Sequence, residues 1–170
     1  MGRDGRKSIF ETISYLLPDD MKFSCRMRKA TDIYNCVLNY LYGILYAKIK
    51  KVTLKCRLDP YIGIMHVDSY NKPTFVFDFM ESQRYICEEL AFDLCCKKEV
   101  NWEHVDQMEE GNLCFDEDAR KLMVSRLIER LNQDMVYKKK HVTRERSIYL
   151  EMMEVAKTIG EENEGILVAV

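Results

Sequence analysis

The chain has 170 residues, 47% of them apolar and 32% charged, with only 7 Gly and 3 Pro. This composition excludes a disordered or collagen-like chain and suffices for one domain with its own core. The net charge of −2 does not announce a nucleic-acid binder, but residues 1–57 carry 12 Lys/Arg against 5 Asp/Glu, and residues 58–170 carry 14 against 23. A basic first third can face phosphates, although solvated helix faces explain it more simply.

The scarcity of helix breakers predicts an all-α chain, a single multi-helix domain over residues 1–170. Residues 4–17 read as the first helix, with Ile9, Phe10, Ile13, Leu16 and Leu17 as its stripe and Pro18 as its stop. "PDDMKFSCRMRKA" is a polar, basic connection. Thr31 is the expected N-cap of a long helix with Asp32 in its first turn, running through Ile33, Val37, Leu41, Leu45 and Ile49 to about Arg57. Pro60, Gly63 and Asn71-Lys72-Pro73 break the chain, and a third helix starts near Thr74, with Phe79, Ile86, Leu90 and Leu94 on its core face. Residues 97–115 read as an acidic loop region with one short helix. Asp116 caps a helix from 117 to about 134, "VYKKKH" reads as an extended link, and Thr143 caps a last helix that Gly160 ends.

No run reaches the length of a membrane span, and no signal peptide opens the chain. The cysteines, Cys25, Cys36, Cys56, Cys87, Cys95, Cys96 and Cys114, are odd in number and irregular in spacing. They read as free thiols of a reducing cytosol, which makes the expected location cytoplasmic. Cys95, Cys96, His104 and His141 lack zinc-ligand spacing.

One constellation can carry chemistry. Asp78 and Glu81 are three residues apart, hence on one helix face, near the start of the third helix. The helix dipole there favours ionised carboxylates and nearby phosphate, and by itself explains two early acids. His66 precedes them on a Pro- and Asn-containing connection. One imidazole and two carboxylates suit Mg²⁺ or Mn²⁺ better than structural zinc. Such a site lowers the pKa of a hydroxyl and stabilises a leaving oxygen at phosphorus. The plain alternative is a hydrogen-bonded loop histidine beside ordinary helix acids. Lys138, Lys139, Lys140 and His141 form a basic run able to touch a DNA backbone, or a solvated loop.

The motifs "DIYNCVLNYLYGILYAKI" (32–49), "LDPYIGIMHVDSYNKPTFVFDFMESQR" (58–84) and "RKLMVSRLIERLNQDMVYKKKHVT" (120–143) resemble the catalytic domain of the CRISPR adaptation integrases, the metal-dependent enzymes that insert spacers into CRISPR arrays. The resemblance spans roughly residues 1–160. It implies His66 as a metal-binding histidine, Asp78 and Glu81 as the two signature acids with Glu81 the direct ligand, and Arg84 as electrostatic support. The family's third ligand is a glutamate in an "M-G-x-E-G"-like stretch. "MGRDG" puts Asp4 in that place, whereas an alignment through "SIFETI" puts the position nearer Met1 or Gly2. The family's small N-terminal β domain has no counterpart here, so the expectation is a minimal integrase or a shortened chain.

The activity implied is 3′-OH transesterification with Mg²⁺ or Mn²⁺. The partners implied are a DNA spacer fragment and the CRISPR repeat, a second copy or higher oligomer, and a small ferredoxin-fold adaptation protein. Arg26, Arg28, Lys29, Arg84, Lys138, Lys139 and Lys140 are the expected phosphate contacts. A catalytically weak DNA-binding assembly subunit and a general metal-dependent endonuclease remain as alternatives.

Overall fold

The computed structural model describes residues 3–63, 72–109 and 112–167. In chain order these form α1 (Arg3–Leu16), a 3₁₀ turn (Asp19–Met21), α2 (Ile33–Lys55), α3 (Thr74–Cys96), a second 3₁₀ turn (Trp102–His104), β1 (Val105–Glu109), β2 (Asn112–Phe115), α4 (Glu117–Leu131), β3 (Asp134–Tyr137), β4 (Lys140–Thr143) and α5 (Arg144–Leu167). Helix dominates, as the shortage of Gly and Pro requires. The strands form two separate antiparallel pairs, β1 with β2 and β3 with β4.

Neither pair was expected. Residues 97–115 read as loop and 136–141 as a link, because strands of four or five residues are too short to show a period of two. The ends of the helices also differ from expectation. Asp32, not Thr31, caps α2, its Oδ1 accepting the Asn35 N–H at 2.8 Å. Asp116 and Thr143 do cap α4 and α5, accepting from the Ala119 N–H at 2.7 Å and the Arg146 N–H at 3.2 Å. α4 stops at Leu131 because the chain must turn into β3. α5 runs straight through Gly160, where nothing approaches within 4 Å of the position a Cβ would take. A glycine costs a helix only about 1 kcal/mol, too little to end one that nothing else turns aside.

The chain sorts into two compact units, Met1–Ile44 with Tyr85–Ile128 and Leu45–Arg84 with Glu129–Val170. In the first unit Ile33, Tyr34, Val37, Leu38 and Leu41 of α2 are buried, as are Ile86, Leu90 and Leu94 of α3 and Met123 and Leu127 of α4. Each of these aliphatic and Met side chains contributes roughly 1.5–3 kcal/mol by leaving water. Phe23 stacks on Tyr34 with centroids 4.5 Å apart. Asn35, fully buried, saturates its amide. The Oδ1 accepts from Arg26 at 3.0 Å and the Met27 N–H at 3.1 Å, and Nδ2 donates to Cys25 O and Asp32 Oδ2 at 2.9 Å each. All seven cysteines are free, with Cys25 and Cys96 exposed. Burial pushes the Cys36 thiol up to about 11 and the Cys95 thiol up to about 12.

The second unit buries Leu45 and Ile49 of α2, Phe75, Val76 and Met80 of α3, Leu131, and Ile148 and Met152 of α5. Tyr46 meets Phe77 with centroids 5.4 Å apart, and Lys48 Nζ pairs with Glu145 at 2.8 Å. The β3–β4 hairpin, in register from Asp134↔Thr143 to Tyr137↔Lys140, leads directly into α5. Its two-residue turn is Lys138-Lys139, both with positive φ (46° and 67°). That left-handed region costs an ordinary L-residue roughly 1–2 kcal/mol.

Candidate active site

The site is built at the start of α3, in the second unit. Pro73 sits immediately before the helix, where its missing N–H costs nothing. Thr74 is not the expected N-cap. It is the first helical residue, and its hydroxyl donates to Tyr61 O at 3.1 Å or Lys72 O at 3.0 Å. The Phe75 N–H donates to Pro60 O at 3.1 Å. Residues 60–61 are thereby tied to the first turn of α3, and Asp59 shapes the same turn by accepting the Tyr61 N–H at 2.9 Å.

With α3 beginning at Thr74, Asp78 and Glu81 are its fifth and eighth residues, and the first turn holds no acid. The dipole acts mainly within the first turn, so it does not account for these two acids as the sequence suggested. Burial also separates them. Asp78 is only 5% exposed, whereas the Glu81 side chain is 36% exposed and pairs with Arg84 at 3.4 Å. Three residues along a helix is a rotation of about 60° short of a full turn, so Asp78 and Glu81 are neighbours on adjoining strips of α3.

Asp78 lines a cleft of about 930 Å³ together with Leu58, Asp59, Ile62, Phe75, Phe79 and Ser82, and with Glu151, Glu154, Val155 and Ile159 of α5. Phe79, expected on the core face, instead forms part of this wall. The cleft is thus mostly apolar with four carboxylates, of which Asp78 is buried while Asp59 and Glu154 are exposed.

The α5 carboxylates were not singled out from the sequence. Glu151 accepts from Gln83 Nε2 at 2.7 Å, and burial is the main cause holding its carboxyl above the ordinary glutamate value, with Glu154 adding to it. Glu154 is exposed. It accepts from Lys138 Nζ at 2.5 Å and Tyr137 Oη at 3.0 Å, and the lysine bond holds it below the ordinary value. The available signal was Glu151's place three residues after Ile148 and four before Val155, on a helix face that is otherwise apolar.

The remaining expected residues are scattered. His66 lies outside the described residues, as does the side chain of Asp4, whose backbone belongs to α1. Arg26 is bound to Asn35 and Asn39 and lies over the Tyr42 ring, 5.4 Å from its centroid, in the first unit. Arg28 and Lys29 are exposed there, and Lys138, Lys139 and Lys140 are exposed at the β3–β4 tip. Among the described residues no group of three or more His, Cys, Asp and Glu side chains is arranged to hold a metal ion.

A model of the family described as CRISPR associated protein Cas1 matches residues 3–129. The chain belongs to the Cas1 family. It is 29% identical over 166 residues to a CRISPR-associated endonuclease Cas1 of Archaeoglobus fulgidus, which covers 91% of this chain and 48% of that protein. Among solved structures it is similar to a casposase bound to integration product (TM-score 0.86, 23% identity, 94% of this chain and 48% of that one). It is also similar to a Cas1 protein from Thermotoga maritima (TM-score 0.80, 19% identity, 91% and 49%). At such identities the structural likenesses establish the fold, that of a helical Cas1 domain. The chain spans about half the length of these relatives. No helix of the described residues is long and apolar enough to cross a membrane.

Proposed function

We propose that the chain is the helical catalytic part of a metal-dependent DNA integrase that inserts short DNA fragments into a CRISPR array. The observation that carries this reading is Asp78, buried in an apolar-walled cleft beside the Glu81–Arg84 pair, in a chain of the Cas1 family. Two carboxylates on adjoining strips of one helix supply hard oxygen donors suited to Mg²⁺ or Mn²⁺. A third donor comes from outside the described side chains. His66, three residues after Gly63 in the sequence, is one candidate. Asp4 is the other candidate. When bound, the metal supplies activation of the attacking hydroxyl and neutralisation of charge on the leaving oxygen.

The chain's own groups do the rest. Arg84 holds Glu81 in place beside the cleft, and burial against the apolar wall strengthens charge interactions at Asp78. The 3′-oxygen of the fragment forms a bond to a repeat phosphorus while the bond from that phosphorus to its own 3′-oxygen breaks, so no energy source is needed. The partners that fit are the fragment and the repeat, a second copy or higher oligomer, and a small ferredoxin-fold protein. The name endonuclease carried by the Archaeoglobus relative motivates a second reading, cutting without joining.

The test is an integration assay with labelled fragments and a repeat-bearing plasmid in Mg²⁺ or Mn²⁺. Joined product is expected from the native chain and none from His66→Ala/Glu81→Ala. Joining that survives the double substitution overturns the site. Cutting without joining supports the endonuclease, and DNA binding with neither reaction supports an assembly subunit.

A further inference from the structure

We propose that the β3–β4 hairpin is a phosphate clamp for duplex DNA at the rim of the Asp78 cleft; this rests on the reading of the chain as a DNA integrase. Three observations carry it. The turn is a two-residue loop with both φ values positive, a geometry that favours Asn-Gly, yet it is built from Lys138 and Lys139. Strained backbone with residues that do not suit it points to a use for the side chains. Edge protection against strand pairing explains a lysine within a strand, such as Lys140, but not two in the turn itself.

The tip is also placed where it matters. Glu154, a cleft-lining residue along with Asp78, binds both Lys138 and Tyr137. Lys138 is therefore held at the cleft's edge, and Lys139 and Lys140 follow it in the chain, both exposed. Finally, the cleft itself is acidic, lined by Asp59, Asp78, Glu151 and Glu154. A polyanion whose phosphodiester enters such a cleft is repelled by it, and cations at the rim offset that repulsion.

The experiment measures binding of a short blunt DNA duplex to the full chain by fluorescence anisotropy, with divalent ions chelated, between about 50 and 200 mM salt. Lys138→Asn/Lys139→Gly removes both charges and installs the favoured turn. Its Kd is expected to rise about fivefold and its salt slope to fall by at least about 1, the full ~2 requiring Lys138 to exchange Glu154 for phosphate, while its melting temperature stays level or rises. Lys138→Gln/Lys139→Gln, which leaves the turn type alone, is expected to lose the same affinity, and Lys138→Arg/Lys139→Arg to keep it. Folded variants that bind with native affinity and slope overturn the clamp and leave the integrase reading standing. A native chain that binds no duplex overturns both. A loss seen with an RNA duplex but not with DNA overturns the clamp as a DNA site.

Discussion

Two polar clusters, one in each compact unit, are built on opposite plans. In the first unit the Asn35 amide is wholly buried and makes four hydrogen bonds, so every donor and acceptor it owns is used within the chain. In the second unit Asp78 is nearly as buried but faces a cleft, with Glu81 half-exposed next to it. The first arrangement closes a connection onto a helix and leaves nothing to offer a ligand. The second concentrates charge in an apolar recess that has room for one. Burial of a polar residue is therefore no guide to function until its surroundings are read: Asn35 is enclosed by chain on every side, whereas Asp78 lines a cleft.

The largest expected effect separates the two directly. Asp78→Ala is expected to lower strand transfer on the order of 10²-fold or more, with thermal unfolding close to native. Asn35→Ala is expected to lower stability by about 3 kcal/mol in urea unfolding, because four partners lose their bonds in a buried setting. If Asp78→Ala unfolds the chain as badly as Asn35→Ala, the contrast fails and Asp78 is a structural residue.

A smaller effect compares the caps of the two units. Asp116→Ala is expected to cost about 1 kcal/mol and Thr143→Ala somewhat less, since the Asp116 bond is shorter and its acceptor charged. Denaturant midpoints of the two variants check the order.

The smallest is a pH dependence. Glu151 is raised by burial, so the folded chain holds its proton more tightly than the unfolded chain does. That favourable contribution is complete below the ordinary value of 4.5 and is lost as pH rises through the higher folded value. Glu151→Gln, which still accepts from Gln83, is expected to be more stable than native at neutral pH, with the advantage gone by pH 4. An advantage that persists at pH 4 shows that the cleft does not desolvate this carboxylate.

The helices were legible because they are long: Ile33, Val37, Leu41, Leu45 and Ile49 repeat their spacing over several turns, and Asp116 and Thr143 mark their starts with a side chain that must bond a free N–H. The hairpins were not, since four residues carry too little pattern. Asp78 and Glu81 were legible from their three-residue spacing, and Arg84 only through the family resemblance. Their difference in burial was not, because it depends on α5, more than sixty residues away in the chain. Glu151 and Glu154 were missed for the same reason: a carboxylate becomes part of a site through what faces it, and spacing within one helix does not show that.

The cysteines carry a practical consequence. Cys25 and Cys96, the two exposed cysteines, both belong to the first unit, while Cys36 and Cys95 are held as protonated thiols well above neutral pH. A thiolate is the species that reacts with a maleimide or an oxidant. The chain thus offers natural attachment points for dyes or spin labels on the unit that carries the Asn35 node: Cys25 ahead of α2, and Cys96 at the far end of α3 from Asp78 and Glu81, its thiol raised by partial burial. A probe placed there reports on the chain while leaving every proposed ligand chemically intact.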